Sequence, residues 1–121
     1  MGNTALFRQG IDRQGLAHDF GAHLKYSLGK DRYSATDYDR FLALSLAVRD
    51  RVMERWIETQ QLYHHRNVKR VYYLSMEFLL GRSLLNNLVN LGADQACREA
   101  LRELGYDWEK ILELEPDAGL G

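Results

Sequence analysis

VKRVYYLSMEFLLGRSLLNNLVN, residues 68 to 90, contains the change of period that decides the fold. Val71, Tyr72, Tyr73 and Leu74 form a short β-branched and aromatic run, and Leu79, Leu80, Leu84, Leu85, Leu88 and Val89 then recur at helical spacing. The switch falls at Ser75-Met76-Glu77. The pattern predicts a buried strand running into a helix, the kind of junction where α/β folds place ligand groups, because side chains and free amides at a strand's carboxyl end share a crevice. Glu77 is therefore the first candidate functional residue. A purely structural role fits the same spacing, since an acid in the first turn of a helix capped by Ser75 is favoured by the helix dipole. Arg82 is read in the same two ways, as an ion-paired surface side chain or as a partner for a phosphate or carboxylate. No second convincing strand occurs in the sequence, and a strand must pair to satisfy its amides and carbonyls. The sheet is expected to be incomplete within these residues.

A chain of 121 residues with 45% hydrophobic and 11% aromatic residues can bury one modest core. Sixteen basic and seventeen acidic residues leave a formal charge of -1, which argues against a general nucleic-acid or membrane surface. The balance is uneven, since residues 94 to 121 carry three basic and eight acidic groups, a pattern read as the solvated faces of short helices. Cys97 is the sole cysteine, so no internal disulfide can form, and no charged neighbour is arranged to activate it. An inert thiol in a reducing cytoplasm is the expectation. No apolar run reaches ~18 residues and no basic segment precedes a hydrophobic stretch, so neither a spanning helix nor a secretory leader is expected.

Outward from the junction, residues 1 to 15 hold scattered glycines without a sustained period and are expected to form a flexible arm. Leu16, Phe20, Leu24 and Leu28 step by four and predict a helix that Gly29 ends. Thr36 and Asp39 form a capping box before a long helix from Asp37 to about His64, with Phe41, Leu44, Val48, Val52 and Trp56 on one face. At 1.5 Å per residue it would reach ~42 Å, beyond the ~30 Å width of a small domain, which points to a larger body or a subunit interface. Gly92 breaks the pattern after residue 90. A further helix is predicted over Ala93 to Leu104, and a short one from Asp107 to Leu114 ahead of Pro116.

Other candidate groups give weaker signals. His64 and His65 point about 100° apart on a helix, and with His18 and His23 they lack ligand spacing, so no metal site is expected. Gly119-Leu120-Gly121 could open a phosphate-cradling loop, because glycines let backbone amides approach an anion. Trp56 and Gln60 lie one helical turn apart, beside Gln61, and pair a stacking surface with amide hydrogen bonds suited to a nucleotide or sugar. A partly buried tryptophan beside solvated amides is the commoner meaning of such a pair.

Three segments, VRDRVMERWIETQQ (48 to 61), KRVYYLSMEFLLGRSLLNN (69 to 87) and DAGLG (117 to 121), together resemble the amino-terminal portion of the glycogen, starch and maltodextrin phosphorylases. The resemblance runs from about Phe20 to Gly121, and YYLSMEFLLGR is its most specific part. It implies an α/β class protein, the mostly helical amino-terminal part of a two-domain GT-B-type glycosyltransferase fold, with a single strand of an incomplete parallel sheet in this chain. The implied organisation is an arm over 1 to 15 and an incomplete domain over 16 to 121. Within that domain come a helical dimer portion over 16 to 66, the first strand and helix of the catalytic domain over 68 to 92, and helices and a loop over 93 to 121.

The implied activity is cleavage of terminal α-1,4 links of glycogen or maltodextrin by inorganic phosphate, releasing glucose 1-phosphate with pyridoxal 5'-phosphate as cofactor. Such chemistry needs fixed dipoles and excluded water more than a protein nucleophile. Glu77 matches the family's acid lining the cleft, and Gly119 and Gly121 stand at the start of the phosphate loop. The lysine that binds the cofactor belongs to the family's carboxyl-terminal domain. None of Lys25, Lys30, Lys69 or Lys110 matches it, so the isolated chain is expected to be inactive. Asp31, Trp56, Gln60 and Gln61 match the nucleotide-binding subunit interface of the regulated animal enzymes, whereas His64 replaces a stacking tyrosine and Tyr33-Ser34 an Asn-Val pair. No serine precedes Ser27 to accept a regulatory phosphate. A cytoplasmic, constitutive homodimer of bacterial type is the implied form, and a stand-alone helical dimerisation module is the alternative.

Overall fold

The computed structural model describes residues 11 to 77 and 80 to 118. Leu79, Gly119 and Gly121 lie outside the described residues. Five α-helices follow in order: α1 Arg13–Ala22, continued by a π-helical turn His23–Ser27, then α2 Asp37–Arg66, α3 Leu84–Leu91, α4 Asp94–Glu103 and α5 Trp108–Glu113. Each helix sits within a few residues of a segment that its apolar spacing predicts. None of them is long and apolar enough to cross a membrane.

The starts of α1 and α2 are set locally. Asp12 accepts a hydrogen bond from the Gly15 amide at 3.2 Å and opens α1. At α2 the Asp39 amide donates to Thr36 Oγ1 at 3.1 Å while the Thr36 amide donates to Asp39 Oδ2 at 2.9 Å, so both halves of the capping box form. Asn67 closes α2 in the left-handed region, with φ +49°. With 30 residues, α2 is ~45 Å long.

The core gathers around the first half of α2. Phe41, Leu44 and Val48 share one buried cluster with Leu16, Phe20, Leu24, Leu84, Leu88, Cys97 and Leu101. After Val52 nothing on α2 is buried, and Trp56, expected on the apolar face, is 57% exposed. The pattern continues past the neighbours that could cover it. Arg51, which lies off the apolar face that the spacing predicts, is 1% exposed. Its guanidinium lies 2.8 Å from Asp19 Oδ2 and donates to the Ala47 carbonyl at 2.7 Å, which ties α1 to α2 and satisfies a buried charge.

Residues 68 to 77 and 80 to 83 depart from expectation. No strand forms among the described residues, and Val71, Tyr72, Tyr73 and Leu74 are 78 to 90% exposed in a non-helical connection. Without a second strand the run has no ladder to join. The helix that follows starts at Leu84, because Gly81 takes φ +63° and breaks the path. Ser75 does not cap that helix. Instead, the Glu115 carboxylate accepts from the Ser83 amide at 2.7 Å and from the Leu84 amide at 3.0 Å, supplying the first α3 amides with a partner 31 residues away. The described part is therefore helical, and the single strand of the expected α/β architecture is not formed within it.

Candidate functional site

At the junction, Ser75 Oγ accepts from the Glu77 amide at 3.1 Å and donates to the Glu77 carbonyl at 2.9 Å. This small turn aims no group into a crevice. Glu77 and Arg82 are both exposed, so the structure sets them on an open surface with the neighbouring apolar side chains of Leu74 and Met76 also in solvent.

The second half of α2 places its polar candidates along a stripe, since Trp56, Gln60 and His64 recur every four residues with Gln61 beside them. Gln60 Oε1 accepts from Arg70 Nη1 at 3.1 Å, and the Arg70 guanidinium stands 5.9 Å from the Tyr63 ring centroid. Gln60, Tyr63, Lys69, Arg70 and Tyr72 line a groove of about 500 Å3. Arg70 and Tyr63 escape a sequence reading centred on Trp56 and the glutamines. The Lys69-Arg70 doublet directly after the helix is the available signal for them.

Asp31 sits in the connection before α2. Its Oδ1 accepts from the amides of Ser34 at 2.7 Å and Tyr33 at 2.9 Å and from Ser34 Oγ at 2.9 Å. The Ser34 amide foremost holds the carboxyl below the usual carboxylate range, with the Ser34 hydroxyl and the Tyr33 amide adding to it. Together with Phe20, Leu24, Lys25, Arg32 and Tyr106 it lines a cavity of about 530 Å3. The neighbouring Lys30 reaches Asp39 at 3.8 Å, which fixes this loop at the amino end of α2. From Asp39 to Trp56 the helix runs ~25 Å. One chain therefore does not bring Asp31 together with Trp56 and Gln60.

The histidines are spread through the structure in local bonds. His23 bridges Ser27 Oγ at 2.8 Å and Asp50 Oδ2 at 2.7 Å, joining the π-helical turn to α2, and His18 meets Asp19 at 3.1 Å. The His64 and His65 rings are 6.0 Å apart and steeply inclined. Among the described residues no group of three or more His, Cys, Asp or Glu is placed to hold a metal ion. Cys97 is buried, and desolvation pushes its thiol up to about 12, so the reactive thiolate is suppressed.

Comparison with known proteins adds what this geometry leaves open. No family model matches the chain. The brain form of glycogen phosphorylase from Bos taurus is 54% identical over 102 residues, which are 84% of this chain and 12% of that protein. The human brain form matches at 54% over the same length, and the bovine liver form at 52% over 106 residues, 88% of this chain. The chain thus spans about an eighth of the length of these curated relatives.

Proposed function

The chain belongs to the glycogen phosphorylase family over the residues it shares with these relatives, and from that premise we propose that it forms the amino-terminal portion of an α-1,4-glucan phosphorylase. The observation that carries this reading is an identity of 54% extending over 84% of the chain. In the proposed whole enzyme, phosphate cleaves a glucan end and releases glucose 1-phosphate, and residues 71 to 77 join a parallel sheet that brings Glu77 to the wall of the cleft. The high exposure of Val71 to Leu74 supports this role, because four consecutive large apolar side chains in solvent indicate a segment whose cover comes from elsewhere.

Pyridoxal phosphate supplies a phosphate for proton transfer when bound in such an enzyme. The residues described here do not fit it. A Schiff-base lysine needs a desolvated amine, whereas Lys25 and Lys69 are exposed, Lys30 is committed to Asp39 and Lys110 pairs with Asp37 at 3.1 Å on the surface. The isolated chain is therefore proposed to be inactive.

The ~25 Å of α2 between Asp39 and Trp56 supports a homodimer as the assembled form, since a nucleotide touching both Asp31 and Trp56 would need the loop of a second copy. Exposure of Trp56, Ile57, Leu62 and Tyr63 on the uncovered half of α2 supports an interface there. His64 and Tyr33-Ser34, in place of the residues of the regulated enzymes, favour a constitutive form. A stand-alone dimerisation module is the second reading, favoured by the way the described helices close one core without residues 68 to 77.

Glucose 1-phosphate release from glycogen and from maltodextrin, measured with the product of the whole reading frame and with the 121-residue chain, tests the proposal. The longer product is expected to be active and the chain alone silent. A longer product that binds pyridoxal phosphate but releases no glucose 1-phosphate would overturn the assignment.

A further inference from the structure

Between α2 and the start of α3 lies a cavity of about 280 Å3 that the proposed function does not use, lined by Ser45, Arg49, Ser83, Asn87 and Glu115 over an apolar wall of Val48, Val52 and Leu84. The helical repeat creates this layout. Ser45 and Arg49 are one turn apart on α2, as are Val48 and Val52, so a polar and an apolar edge run side by side into the cavity.

On the opposite side the hydrogen bonds leave capacity unused. Glu115 accepts three bonds, with Oε1 taking the Ser83 and Leu84 amides at 2.7 and 3.0 Å and Oε2 taking the Leu84 amide at 3.0 Å. A carboxylate offers about four acceptor positions. Asn87 donates through Nδ2 to the Ser83 carbonyl at 2.9 Å, which orients its amide and leaves Oδ1 as an acceptor. The Arg49 guanidinium is exposed at the rim with its fork of donors open.

The chemistry of the lining selects a ligand class. One guanidinium and one carboxylate cancel, so the field favours neither an anion nor a cation, and Glu115 repels phosphate. Both donors and acceptors stand beside an apolar wall, which suits a ring that carries hydroxyls on its edge and C–H groups on its face. The volume lies just under the ~300–1,000 Å3 range of ligand sites, enough for one ring and too little for a nucleotide. We propose that this cavity binds a single neutral pyranose, either a free monosaccharide or the terminal unit of a glucan, with Arg49 and Glu115 on its hydroxyls and Val48 and Val52 against its face. The inference concerns binding alone and stands apart from the phosphorylase reading.

Amide chemical-shift titration of the 121-residue chain with glucose, maltotriose and inorganic phosphate tests it. Saturable shifts at Ser45, Arg49, Asn87 and Glu115 with either sugar are expected, and Arg49→Met should weaken them about tenfold, as loss of a charged hydrogen-bond partner does, without moving the thermal midpoint. Tighter binding of maltotriose than of glucose identifies a glucan end as the ligand, whereas equal binding identifies the free monosaccharide. Linear, non-saturating shifts would overturn the proposal. So would sugar binding unchanged in Arg49→Met, or phosphate shifting the same amides at lower concentration than either sugar.

Discussion

Leu84, Leu88 and Leu91 lie little more than a dozen residues from Val71, Tyr72, Tyr73 and Leu74, and the two sets are comparably apolar, yet the first is buried and the second is 78 to 90% exposed. Hydrophobicity does not separate them. A helix satisfies its backbone within itself, so α3 needs only a partner for one face, and α2 and α4 provide it. A strand requires amides and carbonyls from another segment, and none of the described residues offers an edge. The difference shows that burial of an apolar run depends on where its backbone bonds can be completed.

The largest effect expected from this contrast is on stability. Leu88, with no exposed surface, is surrounded by core side chains, so Leu88→Ala should destabilise the chain by ~2–5 kcal/mol through lost burial and the cavity left behind. Tyr72→Ser should change it by no more than ~0.5 kcal/mol, as surface substitutions do. Urea unfolding of both variants measures the gap directly. A comparable loss in the two would mean that Tyr72 is covered in solution, and the contrast would collapse.

Hydrogen exchange sharpens the same comparison without mutation. The amides of Val71, Tyr72 and Leu74 should exchange near the rate of an unstructured peptide, while those of Leu88, Cys97 and Leu101 exchange only through global opening. Cys97 gives a chemical counterpart. Its folded thiol is pushed from an ordinary 9.0 to about 12, so folding is favoured fully below pH 9.0 and loses this contribution as the pH rises towards 12. Alkylation by iodoacetamide at mildly alkaline pH should follow the opening rate and quicken in Leu88→Ala. Fast alkylation of the folded wild-type chain would show that the thiol is accessible.

What the sequence makes legible follows the same division between local and remote partners. Helix α2 is readable from Thr36, Asp39 and the Phe41-Leu44-Val48-Val52 face, because its cap and its spacing are local. The uncovered Trp56 is not, since the pattern is the same whether or not a neighbour exists. Arg51 lies off that face, and nothing in the spacing marks it for burial beside Asp19 on α1. Glu115 reads as one acid in a charged tail, although it holds the start of α3 across 31 residues. Glu77 is the sharpest case. Its motif carries the family resemblance, while the geometry that would make it functional depends on a sheet formed with other segments.

The smallest expected effects test the local side of the comparison, at a helix start written within four residues. Thr36→Ala removes the hydroxyl that accepts from the Asp39 amide, and the loss should be ~1 kcal/mol by urea unfolding near neutral pH. Acid should weaken the same end of α2. Asp39 is held below the usual carboxylate range chiefly by the Thr36 amide, Asp37 chiefly by its bond to Lys110, and Asp31 chiefly by the Ser34 amide. Because these folded values lie below the ordinary 3.8, the contribution of each carboxylate is complete well above pH 3.8. It is lost as the pH falls through the folded value. The urea midpoint should therefore hold steady on mild acidification and decline below that point. Asp39→Asn keeps a side-chain acceptor for the Thr36 amide but carries no titrating charge, so its decline should be shallower than that of the wild type. Identical declines would assign the acid sensitivity to other groups and leave the start of α2 stabilised by its hydrogen bonds without help from the charge.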